Sequence, residues 1–132
     1  MRALIWISLL GGTAASAAAL YGHYRELPGW LTGPTICRLE SRGCAVLFRS
    51  PRARLLGVPN AALGLALYAL LALGLTFQWS AWLLVAMMVP AMSMSAFLGW
   101  SLIRNRRECR ICWLGHACNA LLLALLISRT VN

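Results

Sequence analysis

The stretch ECRICWLGHACNALLLALLI (residues 108–127) combines two kinds of sequence. Its second half is apolar and uncharged, as expected of a helix that crosses a membrane, whereas its first half is rich in polar and thiol side chains. Cys109, Cys112, His116 and Asn119 follow one another at spacings of three, four and three residues, which places them on one face of a helix. A polar stripe on a membrane helix usually faces the interior of a bundle and marks a functional path. This stretch therefore predicts a membrane helix that directs reactive groups at its neighbours.

The composition of the whole chain is that of an integral membrane protein. Hydrophobic residues make up 61% of its 132 residues and charged residues only 11%, too few to cover a soluble domain. The net charge of +9 comes from arginines that cluster between apolar runs, which indicates topology and lipid headgroups rather than nucleic acid. We therefore expect one membrane domain, residues 1–132, that contacts lipid and does not bind nucleic acid.

Four uncharged apolar stretches are long enough to cross a bilayer as helices, namely residues 3–21, 58–77, 79–103 and 111–127. The predicted fold class is an all-α integral membrane protein, a four-transmembrane-helix bundle. A long loop, residues 22–57, joins the first two helices, and loops of this length are usually functional. In this loop SPRARLLG (residues 50–57) has the features of a short helix, with Ser50 as its N-cap. A cleavable signal peptide is an alternative interpretation of the first stretch, because small residues follow its apolar core.

Four spans place both termini on one side of the membrane and the long loop, with the turn before the last helix, on the other. Two cysteine pairs, Cys37 with Cys44 and Cys109 with Cys112, are therefore expected at the same membrane face. The last helix is expected to start near Asn105 and Glu108, so that the second pair lies near its first turn. The helix dipole and neighbouring arginines favour a thiolate there, and thiolate is the attacking and leaving species in thiol–disulfide exchange.

Below the second cysteine pair the polar stripe continues into the membrane. His116 is expected about 10 Å deeper than Cys109 along the helix. Asn60, in the first turn of the second span, is able to approach the same region. Cys118 falls off the stripe and is expected to be a small packing residue. The residues thus predict a dithiol above a buried polar slot, which suits an apolar electron acceptor with carbonyl oxygens, such as a quinone.

Other interpretations of the same residues remain open at this point. Four cysteines spaced C-x6-C and C-x2-C are able to bind one structural zinc ion, or to form a static structural disulfide. His116 alone is also typical of a histidine satisfied at a helix interface, and Asn60 and Asn119 are typical of hydrogen bonds between membrane helices. Two cysteine pairs at one face, with the polar stripe below one of them, favour the redox interpretation over these alternatives.

Two segments together resemble the vitamin K epoxide reductase family in its small prokaryotic form. They are CRLESRGCAVLFRSPRARLLGVPNAALG (residues 37–64) and CRICWLGHACN (residues 109–119). Two loop cysteines, a serine in the following turn, an Asn-x-x-x-Gly sequence that opens the second span, and a CxxC that opens the last span occur in that order. The resemblance implies a four-helix bundle around a quinone pocket.

The resemblance also implies a role for each matching position. Cys112 corresponds to the cysteine that faces the quinone, and Cys109 to its partner, which Cys44 of the loop bridges during exchange. Cys37 corresponds to the cysteine that engages the protein partner, and Asn60 to the asparagine that hydrogen-bonds a quinone carbonyl. Phe48 and Ser50 match loop positions that help to cap the pocket.

The chain also departs from the animal enzymes of that family. They have a tyrosine where this chain has His116. The substrate expected here is therefore ubiquinone or menaquinone rather than vitamin K epoxide. No metal is expected. We expect a separate thioredoxin-like protein as the thiol partner, because 132 residues leave no room for a fused domain of that kind.

The arginines give a prediction of orientation. Ten of them lie in the long loop and around the CxxC, whereas only Arg2 and Arg129 lie at the opposite face. The positive-inside rule therefore predicts a multi-pass cell-membrane protein whose thiols face the cytoplasm, and the extracytoplasmic face, where disulfides persist, is the alternative.

Overall fold

The structure is a computed structural model that describes residues 1–25, 51, 54–55, 57–105 and 109–131. Four helices account for most of them, and the prediction of a four-helix fold is confirmed: α1 (Arg2–Tyr24), α2 (Asn60–Thr76), α3 (Ala81–Arg104) and α4 (Arg110–Val131). Two short strands, β1 (Arg54–Leu55) and β2 (Val58–Pro59), pair antiparallel directly before α2. The long loop thus ends in a β-hairpin, which the all-α prediction did not include.

Three of the helices, α1, α3 and α4, are long and apolar enough to cross a membrane. The fourth apolar helix, α2, has 17 residues, at the lower end of the ~17–25 that a span needs. The prediction of a second span over residues 58–77 was too long because Val58 and Pro59 belong to β2. The prediction of spanning helices is confirmed by length and composition for the other three stretches.

The predicted short helix over residues 50–57 is wrong from Arg54 onward, although Pro51 is in a 3-10 helical conformation. Arg54 and Leu55 are extended and pair with Pro59 and Val58. Gly57 has a φ of +82°, a left-handed conformation that favours glycine and suits the turn of a hairpin. The Ser50–Pro51 pattern indicated a helix start, but the nearby glycine and the pairing with β2 decide the local structure.

The predicted helix start at Asn105 is also wrong, because this residue ends α3. Its side-chain amide donates to the carbonyl oxygen of Ser101 at 2.7 Å. The last helix begins later, at Arg110, and the carbonyl of Cys109 accepts the amide N–H of Trp113 at 3.0 Å. Cys109 thus stands at the N-cap position and Cys112 in the first turn, as predicted for the CxxC.

The helices do not pack equally tightly against one another. The last helix, α4, packs along both α1 and α3, and α1 also packs against α2, whereas α2 and α3 have few contacts with each other. A first stretch that is a membrane span is expected to pack with the other helices, and α1 packs with α2 and α4. Leucines such as Leu71, Leu84, Leu122 and Leu126 fill the end of the bundle far from the CxxC. At the other end the gap between α2 and α3 is left as a cavity.

Candidate functional site

A cavity of about 690 Å³ lies between the four helices on the side of the CxxC. Its wall is mainly apolar and includes residues of all four helices and of the hairpin. Four of the residues that the sequence analysis singled out line it, namely Asn60, Cys112, His116 and Asn119. The spacing along α4 therefore brings its polar stripe to one cavity, and α2 brings Asn60 to the same place.

The two cysteines of the CxxC have different surroundings. Cys112 is half-buried and lies on the cavity wall. Cys109 is 1% exposed and packs with Ala15 of α1 and with Ile111. Only one of the two sulfurs therefore lies on the wall of the cavity, while the other lies behind it at the start of α4.

His116 lies one turn below Cys112 on the same wall. Its Nε2 atom is buried and has no hydrogen-bond partner among the residues that the structure describes. The imidazole ring meets the ring of Trp113 edge to face, with the centroids 6.1 Å apart. It also lies beside Gly99 of α3, where a Cβ atom would stand 3.9 Å from its Cδ2. Trp113 and Gly99 thus pack against the imidazole ring and do not bond to Nε2.

Three polar side chains from three helices form a hydrogen-bonded chain deeper in the cavity. The Tyr68 hydroxyl of α2 donates to Oδ1 of Asn119 at 2.5 Å, and Nδ2 of Asn119 donates to Oγ of Ser95 in α3 at 2.7 Å. The phenol ring lies directly against Gly12 of α1, where a Cβ would stand 2.4 Å from the ring carbon Cζ. A side chain at position 12 would therefore displace Tyr68 from this chain of hydrogen bonds.

The hairpin closes part of the cavity near the end of α1. Nη2 of Arg54 in β1 is hydrogen-bonded to Nε2 of His23 at 3.2 Å. His23 is 7% exposed and lines the cavity together with Leu55 and Pro59 of the hairpin. This bond ties the end of the long loop to α1 at the edge of the cavity.

Sequence reasoning missed the other polar residues of the cavity. Tyr68 follows Asn60 by eight residues, a spacing that puts both on the same face of α2, and this signal was available. Ser95 and His23 gave no comparable signal, because an isolated serine or histidine in an apolar stretch has many possible roles. Cys118 is buried, with its Sγ 3.0 Å from where a Cβ on Gly11 would stand, and it does not line the cavity.

Four of the predicted site residues, Cys37, Cys44, Phe48 and Ser50, lie outside the described residues. Among those that are described, no group of three or more His, Cys, Asp or Glu side chains is arranged to hold a metal ion. A zinc site or a static disulfide shared between the two cysteine pairs would involve the loop cysteines, so neither alternative is tested by the geometry.

Comparison with known protein families decides the classification. The family model described as the vitamin K epoxide reductase family matches residues 3–127 of the chain. The chain belongs to the vitamin K epoxide reductase family. No curated protein and no solved structure matches the chain significantly. The match includes α2, α3 and nearly all of α1 and α4. The similarity to the family is therefore not confined to the two cysteine-containing segments.

Membership in the vitamin K epoxide reductase family agrees with the physical character of the chain. The family is one of membrane oxidoreductases, and three long apolar helices make this chain a membrane protein. One cavity among the described residues is lined by a thiol, an amide and an imidazole, those of Cys112, Asn60 and His116.

Proposed function

We propose that this member of the vitamin K epoxide reductase family generates disulfide bonds. It oxidises a separate thioredoxin-like protein through its loop and CxxC cysteines and passes the electrons to a quinone. The observation that carries the proposal is the position of Cys112 on the wall of an apolar cavity between membrane helices, beside Asn60 and His116. A thiol, an amide and an imidazole around one cavity supply an electron donor and two groups that are able to bind a carbonyl oxygen.

The cavity fits a quinone in size and in chemistry. Its volume of about 690 Å³ lies within the ~300–1,000 Å³ that is usual for sites of small molecules. Apolar side chains such as Leu67, Met94 and Leu98 suit a quinone ring and the start of its isoprenoid chain. The Nε2 atom of His116 has no partner among the described residues and is the kind of buried polar atom that a ligand oxygen would satisfy. Ubiquinone or menaquinone is the acceptor that we propose, with no metal ion involved.

The roles of the residues follow from where they lie. Two thiols that join in a disulfide release two electrons and two protons, which would reduce a quinone held in the cavity to its hydroquinone. Cys112 is the thiolate that donates at the cavity wall, and Cys109, buried behind it, becomes its disulfide partner. Asn60 donates a hydrogen bond from its amide to an oxygen that gains negative charge, which is the usual work of a placed donor in a dry site. His116 is able to hold a proton at Nε2 beside that oxygen.

The loop cysteines restore the CxxC to its reduced form. We propose that Cys37 exchanges with the dithiol of the partner protein and that Cys44 bridges to Cys109. Each exchange moves two electrons without a free radical, which matches the two-electron reduction of a quinone.

The test of this function is an assay with purified protein in detergent. With a reduced thioredoxin-like donor and decylubiquinone or menadione as acceptor, we expect one quinone reduced for each donor disulfide formed. The measurement follows quinone absorbance and donor thiols in parallel. Folded protein that turns over neither quinone and retains one zinc ion per chain would instead establish the zinc-site alternative.

We also propose that the thiol face of the bundle is cytoplasmic, on the basis of the ten arginines at that face. If the four helices all cross the membrane, the C-terminus then lies outside the cell membrane. Alkaline phosphatase fused after Val131, at the end of α4, is expected to be active. The same enzyme fused after Asn105, at the end of α3 and on the thiol face, is expected to be inactive. The reverse pattern would place the thiols at the extracytoplasmic face.

A further inference from the structure

Deep in the cavity, two side chains have hydrogen-bond donors without an acceptor among the residues that the structure describes. We propose that these groups, Ser95 and Asn119, form a second subsite that binds the quinone carbonyl lying away from Cys112. The subsite rests on the proposed function, because it adds a second point of contact for the same acceptor. It also defines the substrate class more closely, as a quinone with carbonyl oxygens at both ends of its ring.

The direction of the hydrogen-bonded chain is the first argument. Tyr68 donates to Asn119, and Asn119 donates to Ser95, so each member gives a hydrogen to the next. Hydrogen bonds that run in one direction polarise one another, which strengthens the donor at the end of the chain. That end is the hydroxyl of Ser95. It lies on the cavity wall, and the side chain is 6% exposed.

The hydroxyl of Ser95 is the second argument, because it differs from the hydroxyls of Thr13 and Ser93. Thr13 donates to the carbonyl of Leu9, and Ser93 donates to the carbonyl of Val89, each four residues earlier in its own helix. The hydrogen of the Ser95 hydroxyl has no such acceptor, nor any other, among the residues that the structure describes. A buried donor without an acceptor is costly, and an acceptor from a ligand removes that cost.

Asn119 supplies a second donor to the same place. Its side-chain amide carries two N–H groups, of which one is bonded to Ser95. A carbonyl oxygen has two lone pairs and is able to accept from both Ser95 and Asn119. A hydroquinone oxygen carries its own hydrogen and suits two donors less well. The subsite therefore favours the oxidised form of the acceptor over its product.

The depth of the subsite fits the far end of a ring held at Cys112. Along α4, Asn119 lies about 10 Å beyond Cys112 and about 4.5 Å beyond His116. A ring whose first oxygen meets His116 is therefore able to reach Asn119 and Ser95 with its second oxygen. Tyr68 acts through Asn119 and is a positioning residue, held in place by its close packing on Gly12.

The test is the variant Ser95→Ala with Ser93→Ala as its matched control on the same helix. The probe is decylubiquinone, titrated into the oxidised protein without a thiol donor while tryptophan fluorescence is measured. We expect Ser95→Ala to weaken binding of the oxidised probe about fivefold to tenfold, as for the loss of one buried hydrogen bond, and Ser93→Ala to leave it unchanged. The weakening for the reduced probe, titrated into thiol-reduced protein, is expected to be clearly smaller.

Kinetics separate this role from a structural one. In Ser95→Ala we expect a higher KM for decylubiquinone with kcat near that of the wild type, and an unchanged rate of disulfide reduction by the donor protein. If Ser95→Ala does not fold, Ser95→Cys, which keeps the shape with a weaker donor, takes its place. Equal affinity of Ser95→Ala and wild type for the oxidised probe would overturn the subsite alone. A wild-type protein that neither binds nor reduces quinones would overturn the proposed function as well.

Discussion

Replacement of Cys112 by alanine is expected to abolish quinone-dependent thiol oxidation, with a loss of about a thousandfold or more in kcat. The reason is that Cys112 is the CxxC sulfur on the cavity wall, whereas Cys109 is 1% exposed and packed against α1. Without Cys112, the disulfide between Cys109 and Cys112 is not able to form, and electrons from the partner protein do not reach the cavity. The measurement is turnover of decylubiquinone by purified protein with saturating reduced donor.

Two comparisons make this result specific. Cys118→Ala is the matched control, because Cys118 is also a cysteine of α4 but is buried near Gly11 of α1 and lies off the cavity. It is expected to retain nearly full turnover. Cys112→Ala is expected to bind decylubiquinone as the wild type does, since the cavity remains. Full loss of activity in Cys118→Ala, or turnover retained in Cys112→Ala, would contradict the assignment of Cys112 as the donor to the acceptor.

Much of the fold was predictable because membrane helices are encoded by length and apolar composition. Each apolar stretch became a helix, and the turn between α2 and α3 fell where the second and third stretches meet. The hairpin before α2 was not predictable in the same way. Strands of two residues, such as Arg54–Leu55, are too short to show a period in the sequence, and they form because Arg54 and Leu55 pair with Pro59 and Val58 across a tight turn.

The site was predictable where one helix contains it and unpredictable where several helices meet. Cys112, His116 and Asn119 share a face of α4, so their spacing alone placed them together. The contact of Asn119 with Tyr68 and Ser95 depends on how α2 and α3 pack beside α4. The close approach of Tyr68 to Gly12 depends in turn on α1. A sequence without its packing does not show which lone serine or tyrosine faces the cavity.

Replacement of Asn60 by alanine is expected to lower kcat by about a hundredfold to a thousandfold, as for the loss of a placed donor to a developing negative charge. Asn60 is the first residue of α2 and lies on the cavity wall. Its position at the N-terminus of α2 adds the positive end of the helix dipole to the donor of its side chain. The expected measurement is a low kcat with decylubiquinone, at an unchanged rate of disulfide reduction by the donor protein. That second rate does not involve the acceptor.

Asn105→Ala is the matched control for Asn60→Ala. Asn105 is also an asparagine on the cavity wall, but its amide donates to the Ser101 carbonyl at the end of α3, so it is already used inside the helix. We expect Asn105→Ala to keep kcat within about threefold of the wild type, because only an exposed helix cap is lost. A kcat near that of the wild type in Asn60→Ala, with Cys112→Ala inactive, would contradict the role of Asn60. The imidazole of His116, whose Nε2 lacks a partner among the described residues, would then be the donor that stabilises the charged oxygen.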